Sequence, residues 1–221
     1  MNERYVVLDT ETTGLDVSDN HRIIEIGCVE IINRSITKNT FHQYINPGRL
    51  IDASATSIHG ITNDKLTNQP VFADIKDKLI SFINNGQVIA HNASFDIGFL
   101  EKEFNDCGID IHKINLFSKI HDTLVMAREL YPGKRNSLDA LCSRLNVDNS
   151  SRELHGALLD AELLAQVYLR MTMGQSTLSN LFEDSASPKT IDNNSDEILN
   201  HRKKIIKATE EEIILHQDYF S

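Results

Sequence analysis

Val6-Val7-Leu8-Asp9-Thr10-Glu11-Thr12-Thr13-Gly14 is a short apolar run that ends in two carboxylates. The run reads as a buried strand. Successive side chains of an extended chain alternate faces, so Asp9 and Glu11 project to the same side. Two carboxylates a few ångströms apart repel by roughly 4 kcal/mol at an effective dielectric near ~20. Packing does not require that arrangement. A shared divalent cation would turn the repulsion into a binding site, because Mg²⁺ and Mn²⁺ favour carboxylate oxygens. A solvated strand end with two unrelated acids is the alternative at this point.

Beyond Gly14, Asp16, Asp19 and Asn20 mark a turn. His21 to Ile32 is rich in β-branched residues and reads as a second strand. Asn33-Arg34-Ser35 is a hairpin turn, and Ile36 to Ile45 returns as a third strand, so the chain opens as an antiparallel meander. Glu25, inside an apolar strand, suits a sheet edge or a hydrogen bond better than catalysis. Pro47-Gly48 breaks the pattern, and a polar loop carries His59 beside Gly60. Thr62 is placed to cap a short helix through Leu66. Val71, Phe72, Ile75, Leu79, Phe82 and Ile83 recur at helical spacing.

Gln87 to His91 reads as a short buried strand that runs through Asn92 into a helix. Asn92 and Asp96, four apart, can share one face of its first turn. An acid there is also favoured by the helix dipole alone. Ile120 to Thr123 ends another strand and opens a helix through Leu130. Pro132 to Asn136 is a turn with two cations, and Ser137 starts the next helix. The last long helix is apolar at Leu158, Leu159, Leu163, Leu164, Val167 and Tyr168. His155 and Asp160, five apart, would not share a helical face. Gly156 lets His155 lie in the preceding loop and bend back towards Asp160.

From Gly174 to Asp196 serine, threonine, asparagine and aspartate dominate, which reads as a flexible linker, 174–196. Gln175 to Phe182 is an apolar island within it, either a docking peptide or a chance occurrence. Past the linker, Ile198–Ile206 suits a short helix, and Thr209 to Glu212 is a capping box. These pieces are too small for a core of their own, so 197–221 reads as a tail that folds on a partner or frays.

The 221 residues are enough for one sizeable core plus an appendage. A net charge of −10 argues against gripping duplex nucleic acid through a broad basic surface. Cys28, Cys107 and Cys142 form no CxxC pair, and each suits a small core position in a reducing, cytoplasmic compartment. Met1-Asn2-Glu3-Arg4 leads straight into the first strand without an apolar leader, and no apolar run approaches the ~20 residues of a membrane span.

Three motifs therefore stand in order: Asp9-x-Glu11, Asn92-x-x-x-Asp96 and His155-x-x-x-x-Asp160. From Arg4 to about Met173 the chain resembles the DEDD superfamily of exonucleases in its histidine-bearing branch. Within that branch it is similar to the proofreading subunits of bacterial replicative polymerases. Ile23-Ile24-Glu25-Ile26-Gly27, His59-Gly60-Ile61, the run Pro132 to Cys142 and Leu154 to Ala161 carry that likeness.

The resemblance implies an α/β, ribonuclease H-like fold, with a mixed five-stranded sheet flanked by helices and a C-terminal linker and tail. Residues 1–173 would be the exonuclease domain. Two divalent cations, Mg²⁺ or Mn²⁺, would be held by Asp9, Glu11, Asp96 and Asp160. His155 would be the general base, an unperturbed imidazole near pKa ~6.5 being suited to proton removal at neutral pH. Thr10, Thr12, Thr13, Gly14, His59, Asn92 and Phe95, with Asp9, Glu11 and Asp160, would hold the terminal nucleotide of a single-stranded 3′ end of DNA. An acidic contact is expected five positions before His59, where this chain has Ser54. The tail would bind the polymerase catalytic α subunit. Residues 175–182 would reach a sliding clamp, and a small accessory subunit is a further expected partner.

Two other readings fit parts of the sequence. A free-standing exoribonuclease of the same superfamily would not need the tail. A non-catalytic polymerase scaffold would have lost one or more of the five polar residues Asp9, Glu11, Asp96, His155 and Asp160, and all five are present.

Overall fold

The computed structural model describes residues 3–117 and 119–173. The opening meander forms as the alternation predicts: β1 (Arg4–Thr12), β2 (Ile23–Ile32) and β3 (Ser35–Tyr44) pair antiparallel. Two further strands, β4 (Gln87–Ala90) and β5 (Ile120–Asp122), join on the other side of β1 in parallel. The result is one mixed five-stranded sheet of order β3-β2-β1-β4-β5.

Seven α-helices are described: α1 (Ala53–His59), α2 (Asn63–Leu66), α3 (Phe72–Ile83), α4 (Ala93–Asp106), α5 (Thr123–Leu130), α6 (Leu138–Leu145) and α7 (Ala157–Met171). They divide between the two faces of the sheet, and β1 shows why. Val6 and Leu8 pack with Phe72, Ile75 and Leu79 of α3 and with Phe99, Leu100 and Phe104 of α4. Tyr5 and Val7 pack with Ala127 of α5, Leu141 of α6 and Leu164 and Val167 of α7. Each such Leu, Ile or Val removed from water contributes about 1.5–3 kcal/mol. A period-2 strand buried on both faces becomes a continuous apolar run, as Val6-Val7-Leu8 is. The same alternation carries Asp9 and Glu11 to the α7 side and Thr10 to the α4 side.

The local signals hold in most places. Asp122 accepts the amides of Leu124 and Val125 at the start of α5, and Ser137 accepts that of Ala140 at the start of α6. Thr62 stands at the N-cap of α2, but its side chain makes no capping bond. Two expectations need correction. His59 does not lie in a polar loop: it closes α1, which ends on left-handed Gly60 (φ 69°), and is buried. Asn92 is not in the first turn of α4 but precedes it in a left-handed conformation, φ 67° and ψ 54°. Of the two settings expected for Glu25 the hydrogen-bonded one holds, since β2 lies between β1 and β3 and its carboxylate accepts the Ala157 amide. Cys28 and Cys142 are buried as expected, and Cys107 is half-buried. The expected docking peptide at Gln175–Phe182 and the tail helices at 198–206 and 209–221 fall outside the described residues. Among the described residues no helix is long and apolar enough to cross a membrane.

Candidate active site

The C-terminal end of β1 gathers the motif residues. Asp9 and Glu11 point to the side from which α7 approaches, and α7 brings Asp160 in its first turn, 2% exposed. His155 lies two residues before α7 and bends back as the glycine predicts: its Nδ1 is 3.2 Å from Asp160 Oδ2. The His155 amide also donates to the Ile58 carbonyl at 3.2 Å, which ties this loop to α1. Glu11, His155 and Asp160 each bring a ligand atom to within 4.8 Å of the others.

Asp96 comes from α4 on the opposite face, where Thr10 meets it. The Thr10 hydroxyl donates to Asp96 Oδ1 at 2.7 Å, in a buried setting. Asp122 fixes the entry to α4 as well as capping α5, because its carboxylate accepts the amides of Asn92 and Ala93 at 3.2 and 3.0 Å. So the Thr10 side chain on β1 holds Asp96, while Asp9, Glu11 and Asp160 gather on the α7 face.

Electrostatics show how crowded these acids are. Burial and the carboxylates of Asp96, Asp160 and Glu11 push Asp9 well above the usual range. Burial, then Asp160 and Glu25, push Glu11 up to about 8. Burial raises Asp96 to about 7 against the pull of its Thr10 hydrogen bonds. Asp160 differs: burial works to raise it, but hydrogen bonds from His155 and Arg152 hold it below its ordinary value. Such clustered, mutually raised acids are what a strongly charged cation would stabilise, and their oxygen-rich set with one imidazole fits a divalent cation.

Arg152 was not legible beforehand. Its Nε and Nη2 donate to the two oxygens of Asp160 at 2.5 and 2.7 Å, and Nη1 donates to Asp139 at 2.5 Å. Glu25 was legible only as a hydrogen-bonded acid. Its Oε2 accepts the Ala157 amide at 3.1 Å, which caps α7, and Oε1 lies 2.6 Å from His42 Nε2. A carboxylate at a helix N-terminus is favoured by both the free amides and the dipole.

The nucleotide-contact residues are partly brought in. Thr10, Thr12, Thr13 and Gly14 line the buried end of β1, and Phe95 packs partly against the α3–α4 core. Asn92 is exposed on the loop before α4. His59 Nδ1 accepts the Ile61 amide at 3.0 Å, which leaves the ring proton on Nε2. That Nε2 is buried near the Thr12 backbone, and burial holds the imidazole below its ordinary pKa against the pull of a hydrogen bond there. Ser54 lies exposed in the first turn of α1.

These pKa shifts predict how stability without metal depends on pH. An unfolded chain releases carboxyl protons near pH ~4, whereas folded Asp96 and Glu11 keep theirs to about 7 and 8. Between those limits the folded state binds more protons, so stability falls as pH rises. Asp160, held low, has the opposite sign: its contribution is present above about pH 4 and is lost only as pH falls below that. The melting temperature in EDTA should therefore drop by several degrees from about pH 5.5 to 8.5; a flat profile would refute the crowding of these acids.

Known proteins of this architecture and site give it a class. The exonuclease family model (RNase_T) matches residues 6–168. Among solved structures, exonuclease X in complex with 5′-overhanging duplex DNA superposes with a TM-score of 0.58 at 26% identity, over 78% of this chain and 93% of that one. The nuclease domain of 3′hExo, a DEDDh family member bound to rAMP, superposes with a TM-score of 0.65 at 19% identity, over 78% and 92% of the two chains. Fold and family are those of the metal-dependent exonucleases. The DNA polymerase III subunit epsilon of Salmonella typhimurium (strain LT2) is 47% identical over 220 residues, 97% of this chain and 90% of that protein. Its counterpart in Escherichia coli (strain K12) is 46% identical over the same shares. The chain belongs to the epsilon subunits of DNA polymerase III, the proofreading 3′→5′ exonucleases of that polymerase.

Proposed function

We propose that this chain removes mismatched 3′-terminal nucleotides from DNA at a site built by Asp9, Glu11, Asp96, His155 and Asp160. The observation that carries the reading is the convergence of Glu11, His155 and Asp160 ligand atoms within 4.8 Å, beside Asp9 and Asp96. Asp9, Glu11 and Asp160 would hold one Mg²⁺ or Mn²⁺, and Asp9 with Asp96 a second. Bound there, the two cations would supply a lowered pKa for the attacking water and charge stabilisation for the leaving 3′-oxygen.

The chain's own residues do the rest. His155, 44% exposed at its side chain on a loop, can reach a water and take its proton. Thr10 orients Asp96 through its hydroxyl, and Glu25 with Gly27 fixes the start of α7 and so the line of His155 and Asp160. His59, with its Nε2 buried beside Thr12 at the end of β1, would donate towards the terminal nucleotide, alongside Thr12, Thr13, Gly14, Asn92 and Phe95. With Ser54 in place of an acid, the contact expected there is a neutral one.

Residues 1–173 would act as the catalytic domain, and 174–196 as the linker with a clamp-binding peptide at 175–182. The tail 197–221 would bind the polymerase α subunit in the cytoplasm, with room for a small accessory subunit. An acidic subunit delivered by its partners needs little DNA affinity of its own, because tethering raises its effective concentration at the primer end. The test is digestion of a labelled primer–template, matched or mismatched at its 3′ end, beside an RNA oligomer. Cation-dependent release of single nucleotides, faster from the mismatched DNA end and stopped by EDTA, is the expected result. Faster cleavage of RNA would favour the free-standing exoribonuclease instead.

A further inference from the structure

Among the described residues Arg152 is the one arginine or lysine that hydrogen-bonds to the carboxylate cluster. It lies in the segment between α6 and α7, yet its side chain is only 6% exposed. Its fork is fully engaged. Nε and Nη2 take both oxygens of Asp160, Nη1 takes Asp139 Oδ1, and Nη2 is 2.8 Å from His155 Nδ1. Asp139 stands outside the cluster in the first turn of α6, 58% exposed, and also accepts from Asn149 at 3.1 Å. One guanidinium therefore bridges a site acid and an outer acid.

The Asp160 carboxylate that this fork grips is also the one that meets the ligand atoms of Glu11 and His155 within 4.8 Å, so the fork and a divalent cation compete for it. A cation that takes Asp160 through the lone pairs the fork now uses would displace Nε and Nη2, while the bond from Nη1 to Asp139 can persist. The displaced fork would then be held beside the site, with Nε and Nη2 released from Asp160. A planar guanidinium with free parallel N–H groups is suited to a phosphate. We propose that Arg152 exchanges partners: it neutralises Asp160 until a divalent cation arrives, and then binds the phosphate of the terminal nucleotide while anchored to Asp139. The contact of Nη2 with His155 gives the exchange a second effect. His155 Nδ1 can accept from Arg152 or donate to Asp160, and loss of the fork leaves only the second.

The inference rests on the site reading given above, and the experiment separates the two. Mn²⁺ binding to the full chain is measured by titration calorimetry, followed by thymidine 5′-monophosphate binding at saturating Mn²⁺. Asp160→Asn tests the site itself: unchanged Mn²⁺ affinity there would defeat the metal assignment. Arg152→Gln tests the exchange. Removing a competing cation should tighten Mn²⁺ binding about tenfold, a sign opposite to that of a damaged site. Nucleotide binding should weaken about tenfold in the same variant. Asp139→Ala, which keeps the guanidinium but removes its outer anchor, should weaken nucleotide binding. Mn²⁺ affinity of Arg152→Gln equal to or below that of the parent, or unchanged nucleotide affinity, overturns the exchange.

Discussion

Asp9→Asn should lower hydrolysis by about 10³-fold and, in the same protein, raise the melting temperature measured in EDTA. Asp9 stands where the sheet delivers the most negative charge: Glu11 is two residues along the strand, and Asp96 and Asp160 arrive from opposite faces. Each of these carboxylates, together with burial, pushes the Asp9 carboxyl up. An amide of the same shape removes the charge and leaves the packing alone. Loss of a cation ligand common to both proposed ions should forfeit several kcal/mol of transition-state stabilisation, and about 1.4 kcal/mol is a factor of ten in rate. Without a cation the same charge is only a liability, so relief of the repulsion should appear as stability. For a chain of this size each kcal/mol gained is about 2–4 °C. Activity within tenfold of the parent, or a lower melting temperature at about pH 8, would break the argument. Opposite signs in the two measurements are expected of a functional strain and not of a structural residue.

What could be read in the sequence was whatever depends on short range. Alternation along Tyr5 to Glu11 placed the apolar residues on two faces and both acids on one. Gly156 before the apolar helix let His155 bend back to Asp160, and it does. Asn33-Arg34-Ser35 turned the second strand into the third. The partners that complete the site lie far apart in the chain, and no periodicity marks them. Glu25 caps a helix 132 residues away, and Thr10 meets Asp96 across 86. Arg152 sits in the polar run Asp148 to Glu153, which reads as solvated because its neighbours are; only the fold reveals that its fork turns inward. His59 was placed in a loop because Ala53 to His59 has a weak apolar pattern. Gly60, left-handed and just past the last helical residue, was the local sign of a helix end.

Gly27→Ala should be the most damaging single methyl added to the sheet. Gly27 lies opposite Asp9 in the β1–β2 ladder and faces α7. Its backbone is ordinary strand, so the requirement is one of space. A Cβ there would stand 2.3 Å from the Ala157 carbonyl carbon and oxygen and from the Leu158 amide nitrogen. Those atoms are backbone of the first turn of α7 and cannot rotate out of the way. The helix start must lift from the sheet, and that breaks the bond from the Ala157 amide to Glu25. Overpacking costs about 1–3 kcal/mol and the lost bond about 1 kcal/mol more. Because His155 and Asp160 ride on that turn, an ångström of lift separates them from Asp9 and Glu11, for which a 10²-fold loss of rate is the usual scale. A thermal melt and a single-turnover digestion measure the two effects. A variant that melts like the parent and cuts within threefold of its rate would mean that α7 is held by its apolar face alone. If it melts lower while digestion is retained, the helix start has room to move without consequence for the chemistry. Neither fits a site whose fourth acid and base are set by how closely one helix can approach one strand.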